Sequence, residues 1–256
     1  MMFAVNARGF DGSALEPMIH KLEYRGRLSA TDRAALLALP HTVKRFENQH
    51  YVVRERDQAT HCGLMVSGFS VRHKIVGGGL RQIVAIHMKG EMVDLQNSML
   101  GIADHSVQML TAGQVAMIPR NAIERIAAER PAIAKAMWID TLVDGSIFRE
   151  WIANVGRRNA RTRIAHLLCE FGLRLKHAGL SDEKEYTLPM TQEQIGDATG
   201  LTSVHVNRTI KALEAEGLIR RTGPRAVTIG DWKLLAEAGD FDSGYLHMKP
   251  DDPILE

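Results

Sequence analysis

The sequence is poor in cysteine and contains no long apolar run. Its 256 residues include two cysteines, Cys62 and Cys169, which form neither a CxxC pair nor a disulfide framework. No stretch of about 18 consecutive apolar residues occurs, so we expect no membrane-spanning helix. The N-terminus lacks a charged segment followed by an apolar one, so we expect no signal peptide. These absences favour a protein of the reducing cytoplasm.

The composition is that of a globular chain, with 45% hydrophobic and 24% charged residues. The net charge is only +2, but the charge is unevenly distributed. Residues 157–225 contain 12 lysines and arginines against 8 acidic residues, whereas residues 226–256 contain 2 against 7. The basic excess is too modest to establish a nucleic-acid partner by itself.

The first part of the chain predicts short helices followed by several strands. Apolar residues recur at helical spacing between positions 15 and 39, and Pro40 ends that pattern. From Val43 to Ile118, short apolar runs alternate with glycines about every ten residues, which indicates a small β-barrel or sandwich. The triple glycine at 77–79 suits a hairpin tip, since no helix with Lys-Ser/Thr follows it as a phosphate-binding loop requires.

Pro131 opens a long apolar helix that we expect to extend to about Val155. Residues on one side of this helix recur every three or four positions, close to a heptad pattern. They are Trp138, Leu142, Phe148, Ile152 and Val155. An ordinary amphipathic helix would pack only on its own domain, but Met137 and Trp151 make a second side apolar. We therefore expect one side to cover the barrel and the other to contact a second chain.

The most specific motif spans residues 188–219. Thr191 and Gln194 fit a capping box that begins a short helix, and Gly200 suits the left-handed residue that ends it. Thr202 then caps a second, longer helix. Two helices joined by a glycine turn predict a helix-turn-helix.

The second helix presents a polar outer face that suits the major groove of DNA. We assign base reading to Ser203, Val204, His205, Asn207 and Arg208. Phosphate contacts are assigned to Thr191, Gln192, Lys211 and Arg225. Arg225 lies in a β-hairpin wing that we expect after the second helix. The alternative is a protein-binding winged helix whose basic face is merely solvated.

With these motifs in this order, the chain resembles the cyclic-AMP receptor protein and fumarate-nitrate regulator (CRP/FNR) family of bacterial transcription regulators. The resemblance covers residues 36–229 and is most specific over residues 191–218. It implies a homodimer that binds a pseudo-palindromic operator in double-stranded DNA, with RNA polymerase as a further partner. The guanine-reading arginine of the family falls on Arg208. Val204 stands where many members carry a glutamate that reads cytosine or adenine.

The cyclic-nucleotide cassette of the family is not preserved. In cyclic-AMP-binding members, a Gly-Glu-Leu triplet supplies a glutamate for the ribose, and an Arg-Ser-Ala triplet supplies an arginine for the phosphate. The matching positions are Asp94, Leu95, Gln96, His105 and Ser106. A carboxylate repels phosphate, and a neutral imidazole lacks the arginine fork. The resemblance therefore implies an effector pocket near these residues that takes an unknown small molecule, or none, rather than cyclic AMP.

Other site chemistries have weaker support. An iron–sulfur cluster needs about four thiolate ligands, and the chain has two cysteines. A haem-responsive regulator, with ligation through His61, His73, His87 or His105, and a cyclic-nucleotide-responsive one remain alternatives. A metal-dependent cupin-like enzyme is a further alternative, using His87 and His105, although no His-x-His pair occurs. We expect a non-enzyme with no metal and no cofactor.

Together these patterns predict an α+β chain in three parts. Residues 1–130 form N-terminal helices and a β-roll (jelly-roll) sensor domain that resembles a cyclic-nucleotide-binding domain. Residues 131–156 form the dimerisation helix. Residues 157–256 form a winged helix-turn-helix DNA-binding domain with a C-terminal helix, which Asp231 caps. The basic segment 156–163 is expected to be a hinge.

Overall fold

The computed structural model describes residues 12–181, 185–223 and 225–248, and the stretch that bears on a signal peptide lies outside them. The helices are α1 (Glu16–Arg25), α2 (Ala30–Leu37), α3 (Asn97–Leu100), α4 (Arg120–Glu129), α5 (Pro131–Arg157), α6 (Ala160–His177), α7 (Gln192–Thr199), α8 (Ser203–Ala215) and α9 (Trp232–Ala238). The strands are β1 (Thr42–Phe46), β2 (Tyr51–Val53), β3 (His61–Ser67), β4 (Ser70–Ile75), β5 (Arg81–His87), β6 (Ser106–Met109), β7 (Gly113–Pro119), β8 (Glu185–Thr187), β9 (Ile219–Arg221) and β10 (Ala226–Ile229).

Two short helices precede the strands, as the apolar spacing predicts. Ser29 begins α2 through a capping box, because its hydroxyl accepts from the N–H of Asp32 and the Asp32 carboxylate accepts from the N–H of Ser29. The buried side chains of α1, including Ile19 and Leu22, join a core that also contains Ile133 and residues of α4. The N-terminal helices are thereby attached to the start of the long helix.

The β-roll consists of two antiparallel sheets. One sheet has the order β1–β7–β3 and the other β2–β6–β4–β5. A small apolar cluster, which includes Met65, Val107 and Val115, fills the space between them. The triple glycine forms the tip of the β4–β5 hairpin, where Gly78 and Gly79 have φ values of 79° and 78°. Glycine adopts these angles without steric cost, so the predicted hairpin is confirmed.

The long helix α5 has 27 residues, which corresponds to about 40 Å. It starts at Pro131, as predicted, and is separated from α4 by Arg130 alone. Helix α4 was not expected, because its apolar pattern covers little more than the turn from Ala122 to Ile126. No helix in the described part of the chain is long and apolar enough to cross a membrane.

The segment between α5 and α6 is shorter than the predicted hinge. Only Arg158 and Asn159 separate the two helices, and Asn159 caps α6 by accepting from the N–H of Thr162 at 3.0 Å. The break lies within the predicted segment 156–163 but is confined to two residues, because the asparagine cap allows α6 to begin at once.

A winged helix completes the described chain. Strand β10 pairs with β9, as the predicted wing requires. It also pairs with β8, which was not expected because the segment 178–186 is mainly polar. Asp231 caps α9 by accepting from the N–H of Leu234. Leu235 of α9 is fully buried in the same core as α6, α7 and α8. The last helix therefore packs on its own domain.

Candidate nucleic-acid interface and ligand cavity

The turn between α7 and α8 depends on capping and on one close backbone contact. Thr191 and Gln194 form the expected reciprocal capping box, with N···O distances of 2.8 and 3.2 Å. Gly200 ends α7 with a φ of 67°. A Cβ on Gly196 would lie 2.4 Å from the carbonyl oxygen of Leu201. Only glycine allows α7 to approach the turn this closely.

Helix α8 has one buried and one exposed face. Thr202 caps it through the N–H of His205. The buried face comprises Val206, Thr209, Ile210 and Leu213. The five residues assigned to base reading occupy the other side: Ser203, Val204 and Arg208 are exposed, and His205 and Asn207 are half-buried. Val204 is 78% exposed, so its side chain takes no part in packing α8 on its own domain.

The structure brings three of the four expected phosphate-binding residues together. Thr191, Gln192 and Arg225 line one hollow of about 230 Å³ between α7 and the wing. Lys211 is exposed on α8 and does not line this hollow. Arg221 of the wing is held by Glu214 of α8, with an N···O distance of 2.8 Å. The charge of Arg221 is therefore used within the chain, whereas we assign the charge of Arg225 to a phosphate.

Contacts outside the motif fix the position of the two helices, and sequence reasoning missed them. Arg161 at the start of α6 binds Glu216, the residue that caps the end of α8. Arg163 donates to the carbonyl oxygen of Thr199, the last residue of α7, at 2.9 Å. Both arginines lie in the segment 156–163, which the sequence predicts to be a hinge. Their partners are distant in sequence, so residue spacing indicates neither contact.

The apolar stripe expected on α5 is largely uncovered in the single chain. Trp138, Leu142 and Ile152 are 68%, 56% and 68% exposed, and Phe148 and Val155 are half-buried. Trp151 is turned toward α6, where it is buried and donates to Glu170 of that helix at 2.9 Å. The helix thus packs on its own chain with one side and leaves a second apolar side exposed.

A cavity of about 680 Å³ lies between the roll and α5. Gln96 and His105 line it, as expected of the effector pocket, but Asp94, Leu95 and Ser106 do not. The Asp94 carboxylate is buried and accepts from the N–H of Gly63 at 2.7 Å. Leu95 packs on the apolar core around α1 and α4. The Ser106 hydroxyl accepts from the N–H of Glu55 at 3.0 Å.

The placement of these three residues corrects the expectation for the pocket. They are close in sequence to Gln96 and His105, which line the cavity. Their own side chains, however, hydrogen-bond to the backbone or pack in the core. Burial raises the pKa of Asp94 to about 6, and the hydrogen bond from Gly63 opposes that shift. Asp94 therefore acts inside the roll and not on a ligand in this cavity.

His105 remains in the cavity as a neutral side chain. Burial, reinforced by the nearby charge of Arg72, lowers the pKa of His105 to about 4, although Asp104 opposes that shift. Its Nδ1 pairs with Asp104, and its Nε2 lies 3.3 Å from the amide nitrogen of Gln96. At neutral pH this imidazole cannot supply the positive charge that a cyclic phosphate needs.

Arg72 of β4 is a cavity residue that the sequence did not indicate. Its side chain is almost completely buried, it lines the cavity, and its Cζ lies 5.2 Å from the centre of the Phe148 ring. Nη2 donates to the carbonyl oxygen of Val93 at 2.7 Å. A single charged residue within a strand usually faces solvent. The sequence pattern of β4 therefore did not indicate that Arg72 lines a cavity.

A buried ionic junction joins the roll, α5 and α6. Arg174 of α6 donates to both carboxylate oxygens of Glu91 at 3.1 Å and to the carbonyl oxygen of Ile86 at 2.6 Å. It also binds Glu170, which accepts from Trp151. Burial disfavours the charged form of Glu91, but Arg174, Lys21 and His87 together outweigh that effect and hold the pKa of Glu91 well below its usual range.

The histidines of the cupin alternative do not meet. His87 contacts Glu91 at 3.4 Å, whereas His105 pairs with Asp104, and the two lie beside different ends of β4. Within residues 12–181, 185–223 and 225–248, no group of three or more histidine, cysteine, aspartate or glutamate side chains could hold a metal ion.

Comparison with known proteins places the chain in a family. The model for the cyclic nucleotide-binding domain matches residues 43–130, and the model for the Crp-like helix-turn-helix domain matches residues 162–238. A β-roll, a long helix and a winged helix in this order define a class of regulator rather than an enzyme. The chain belongs to the CRP/FNR family of transcription regulators.

Named relatives are similar over most of their length. The chain is 29% identical over 199 residues to the transcriptional activator protein FnrL of Cereibacter sphaeroides, covering 76% of this chain and 79% of FnrL. It is 29% identical over 194 residues to the nitrogen fixation regulation protein FixK of Bradyrhizobium diazoefficiens, covering 75% and 80%. These relatives are regulators, so a cupin-like enzyme is not favoured.

Solved structures share the fold. FixK2 from Bradyrhizobium japonicum aligns with a TM-score of 0.73 at 24% identity, covering 78% of this chain and 98% of that one. A CooA mutant from Carboxydothermus hydrogenoformans aligns with a TM-score of 0.63 at 17% identity, covering 83% and 91%.

The close approach at Gly196 gives a prediction about stability. Gly196→Ala should lower the free energy of unfolding by about 1–3 kcal/mol, because the new Cβ clashes with the Leu201 carbonyl oxygen. Urea unfolding measures this change. Gly156→Ala is the control, since it also lies in a helix and its Cβ would meet nothing within 4 Å. A Gly196→Ala chain as stable as the control would contradict the assigned contact.

Proposed function

We propose that the chain is a homodimeric, sequence-specific DNA-binding regulator whose α8 reads the major groove of a pseudo-palindromic operator. The observation that carries this proposal is the face of α8, where Ser203, Val204 and Arg208 are exposed on a tightly capped helix-turn-helix. The family membership supports it. The proposal places the protein in the cytoplasm and includes RNA polymerase as a partner.

Base reading follows from the chemistry of the exposed side chains. The fork of Arg208 matches O6 and N7 of guanine, and Asn207 matches adenine. A glutamate at position 204 would accept from an amino group of cytosine or adenine. Valine has no acceptor and can pack only on the methyl group of thymine. Ser203 and His205 add polar contacts. Specificity should therefore keep a guanine and change at the base opposite Val204.

Phosphate contacts would position the two helices without reading sequence. Thr191, Gln192 and Arg225 suit this role, since they surround one hollow beside the N-terminus of α7. Lys211 would contact the backbone from α8. The partial positive charge at the N-terminus of a helix adds to the attraction for phosphate.

Dimerisation would use the exposed stripe of α5 that contains Trp138, Leu142 and Ile152. Twofold symmetry then places the two copies of α8 in successive major grooves, about 34 Å apart. In functional terms we divide the chain into a sensor at residues 1–130, a dimer helix at 131–156 and a DNA-binding domain at 157–256.

The cavity between the roll and α5 is proposed as the effector site. Gln96 and His105 line it, together with residues of the dimer helix. The neutral His105 cannot replace a phosphate-binding arginine, so we propose that the protein does not respond to cyclic AMP. An effector there would contact sensor and dimer helix at once.

The assignment of Arg208 predicts a change in sequence preference. Arg208→Ala should weaken binding by about 1–3 kcal/mol per half-site and relax the preference for one guanine, because the bidentate contact is lost. Selection from a random duplex library, with and without the substitution, measures both effects. Unaltered base preference in Arg208→Ala would contradict the assignment of Arg208. If the wild-type chain selects the half-site of relatives that carry a glutamate at the position of Val204, the assignment of Val204 is contradicted.

The assignment of Arg225 predicts a change in salt dependence only. Arg225→Ala should weaken all sequences alike and reduce the slope of log K against log[salt] by about one, because one phosphate contact is lost. Fluorescence anisotropy over a range of salt concentrations measures the slope. Lys233→Ala, an exposed lysine on α9, should leave the slope unchanged. The assignment fails if both variants behave alike.

The exposed stripe predicts a specific loss of the dimer. Leu142→Glu should give a monomer of 28.4 kDa without loss of the fold, because Leu142 is 56% exposed in the single chain but buried in the proposed dimer. Light scattering and circular dichroism measure mass and fold. Leu234→Glu is the matched control, since Leu234 is 50% exposed on α9. A dimeric Leu142→Glu chain would rule out this stripe as the interface.

A further inference from the structure

The cavity between the roll and α5 contains a buried charge that forms no ion pair with any residue that the structure describes. Arg72 is 5% exposed and lines the cavity. No carboxylate of the described residues lies within ion-pair distance of its guanidinium, and Nε has no hydrogen-bond partner. Nη2 donates to the carbonyl oxygen of Val93, which is a neutral acceptor.

Such an arrangement is unusual inside a protein. Buried arginines are ordinarily paired with an acid, because removal of a charge from water is costly unless an opposite charge replaces it. Burial lowers the pKa of Arg72, and the carboxylates of Asp144 and Asp94 offset that shift only from a distance. The guanidinium therefore lacks the close partner that its burial calls for.

The other charged residues that line the cavity do not supply this partner. Lys74 is paired with Glu55, and Asp104 is paired with His105. Asp144 of α5 is the remaining acid of the lining, and burial raises its pKa. Asp144 also lines a neighbouring cavity, and the charge of Lys21 and, from beyond ion-pair distance, that of Arg72 oppose the shift in its pKa.

The rest of the lining is mainly apolar. The side chains concerned are Ile83, Val84, Phe148, Trp151, Ile152 and Val155. Phe148 lies against the Arg72 guanidinium, so the cationic group and the apolar wall are adjacent. A cavity of about 680 Å³ lies within the usual range for small-molecule sites, roughly 300–1,000 Å³.

We propose that this cavity binds a small organic carboxylate with an apolar body, and that Arg72 anchors the carboxylate. The apolar body packs against Phe148 and Trp151. Ile152 lies both in this lining and in the exposed stripe, so the partner's copy of α5 completes the wall in the dimer. The inference rests on the proposed function, in which this cavity is the effector site.

A cyclic nucleotide shares the anionic group but not the remaining chemistry. Its ribose and base need several free hydrogen-bonding groups, whereas Gln96 and His105 lie within hydrogen-bond distance of each other. The apolar wall favours a hydrocarbon or aromatic body instead. An experiment with both kinds of anion distinguishes these two classes of ligand.

Calorimetry with two matched probes tests the anchor. 1-Naphthaleneacetate and its neutral amide have nearly the same shape and differ in charge. The full-length wild-type chain should bind the carboxylate at least roughly tenfold more tightly than the amide, because only the carboxylate pairs with Arg72. Arg72→Met should lose this preference, while Arg45→Met, which removes an exposed arginine from β1, should retain it.

Three results would overturn the proposal. They are equal affinity of wild-type protein for the two probes, no binding of either below roughly 1 mM, and tighter binding of cyclic AMP than of the carboxylate. Since these comparisons use wild-type protein, they decide the matter even if Arg72→Met does not fold. A retained preference in a folded Arg72→Met chain would also contradict the anchor.

Binding of the selected operator by the same preparations separates this inference from the proposed function. Wild-type protein that binds the operator but shows no preference for the carboxylate contradicts the inference alone. Wild-type protein that prefers the carboxylate but binds no DNA contradicts the proposed regulator and leaves the anion site supported.

Discussion

The buried ion pair between Arg174 and Glu91 is the contact on which the arrangement of the domains depends. Arg174 belongs to α6 and Glu91 to the roll, and the same guanidinium binds Glu170, which also holds Trp151 of the long helix. Removal of one partner from such a pair leaves an uncompensated buried charge, typically at a cost of about 3–5 kcal/mol. The junction therefore holds the helix-turn-helix domain against the β-roll and the long helix.

A second link runs through β5 and connects the cavity to the reading helices. Gln82, Ile83 and Val84 of this strand line the cavity. Arg81, at its start, donates to Asp197 of α7 at 2.7 Å. A ligand that displaced the strand would therefore act on α7 directly. The cavity and the helix-turn-helix both contact strand β5, and this gives the proposed effector a short route to the proposed DNA-binding surface.

The sequence predicted the elements that follow from local rules and missed those that depend on distant contacts. The capping box at Thr191 and the turn at Gly200 are local, and both are present. Arg72 and Arg174 are buried by elements that are distant in sequence. Residue spacing therefore could not predict the burial of either arginine. The expectation for Asp94 was wrong for the same reason: Gln96, two residues further along the chain, lines the cavity, but the Asp94 carboxylate accepts from the N–H of Gly63 inside the roll.

In the proposed dimer, twofold symmetry about α5 presents two copies of α8 to one face of the duplex. Fluorescence anisotropy with the selected inverted repeat, compared with the same repeat lengthened by about five base pairs between half-sites, tests it directly. We expect one dimer per original duplex and at least roughly tenfold weaker binding to the lengthened one, because half a helical turn moves one half-site to the opposite face. Equal affinity for the two duplexes would contradict it.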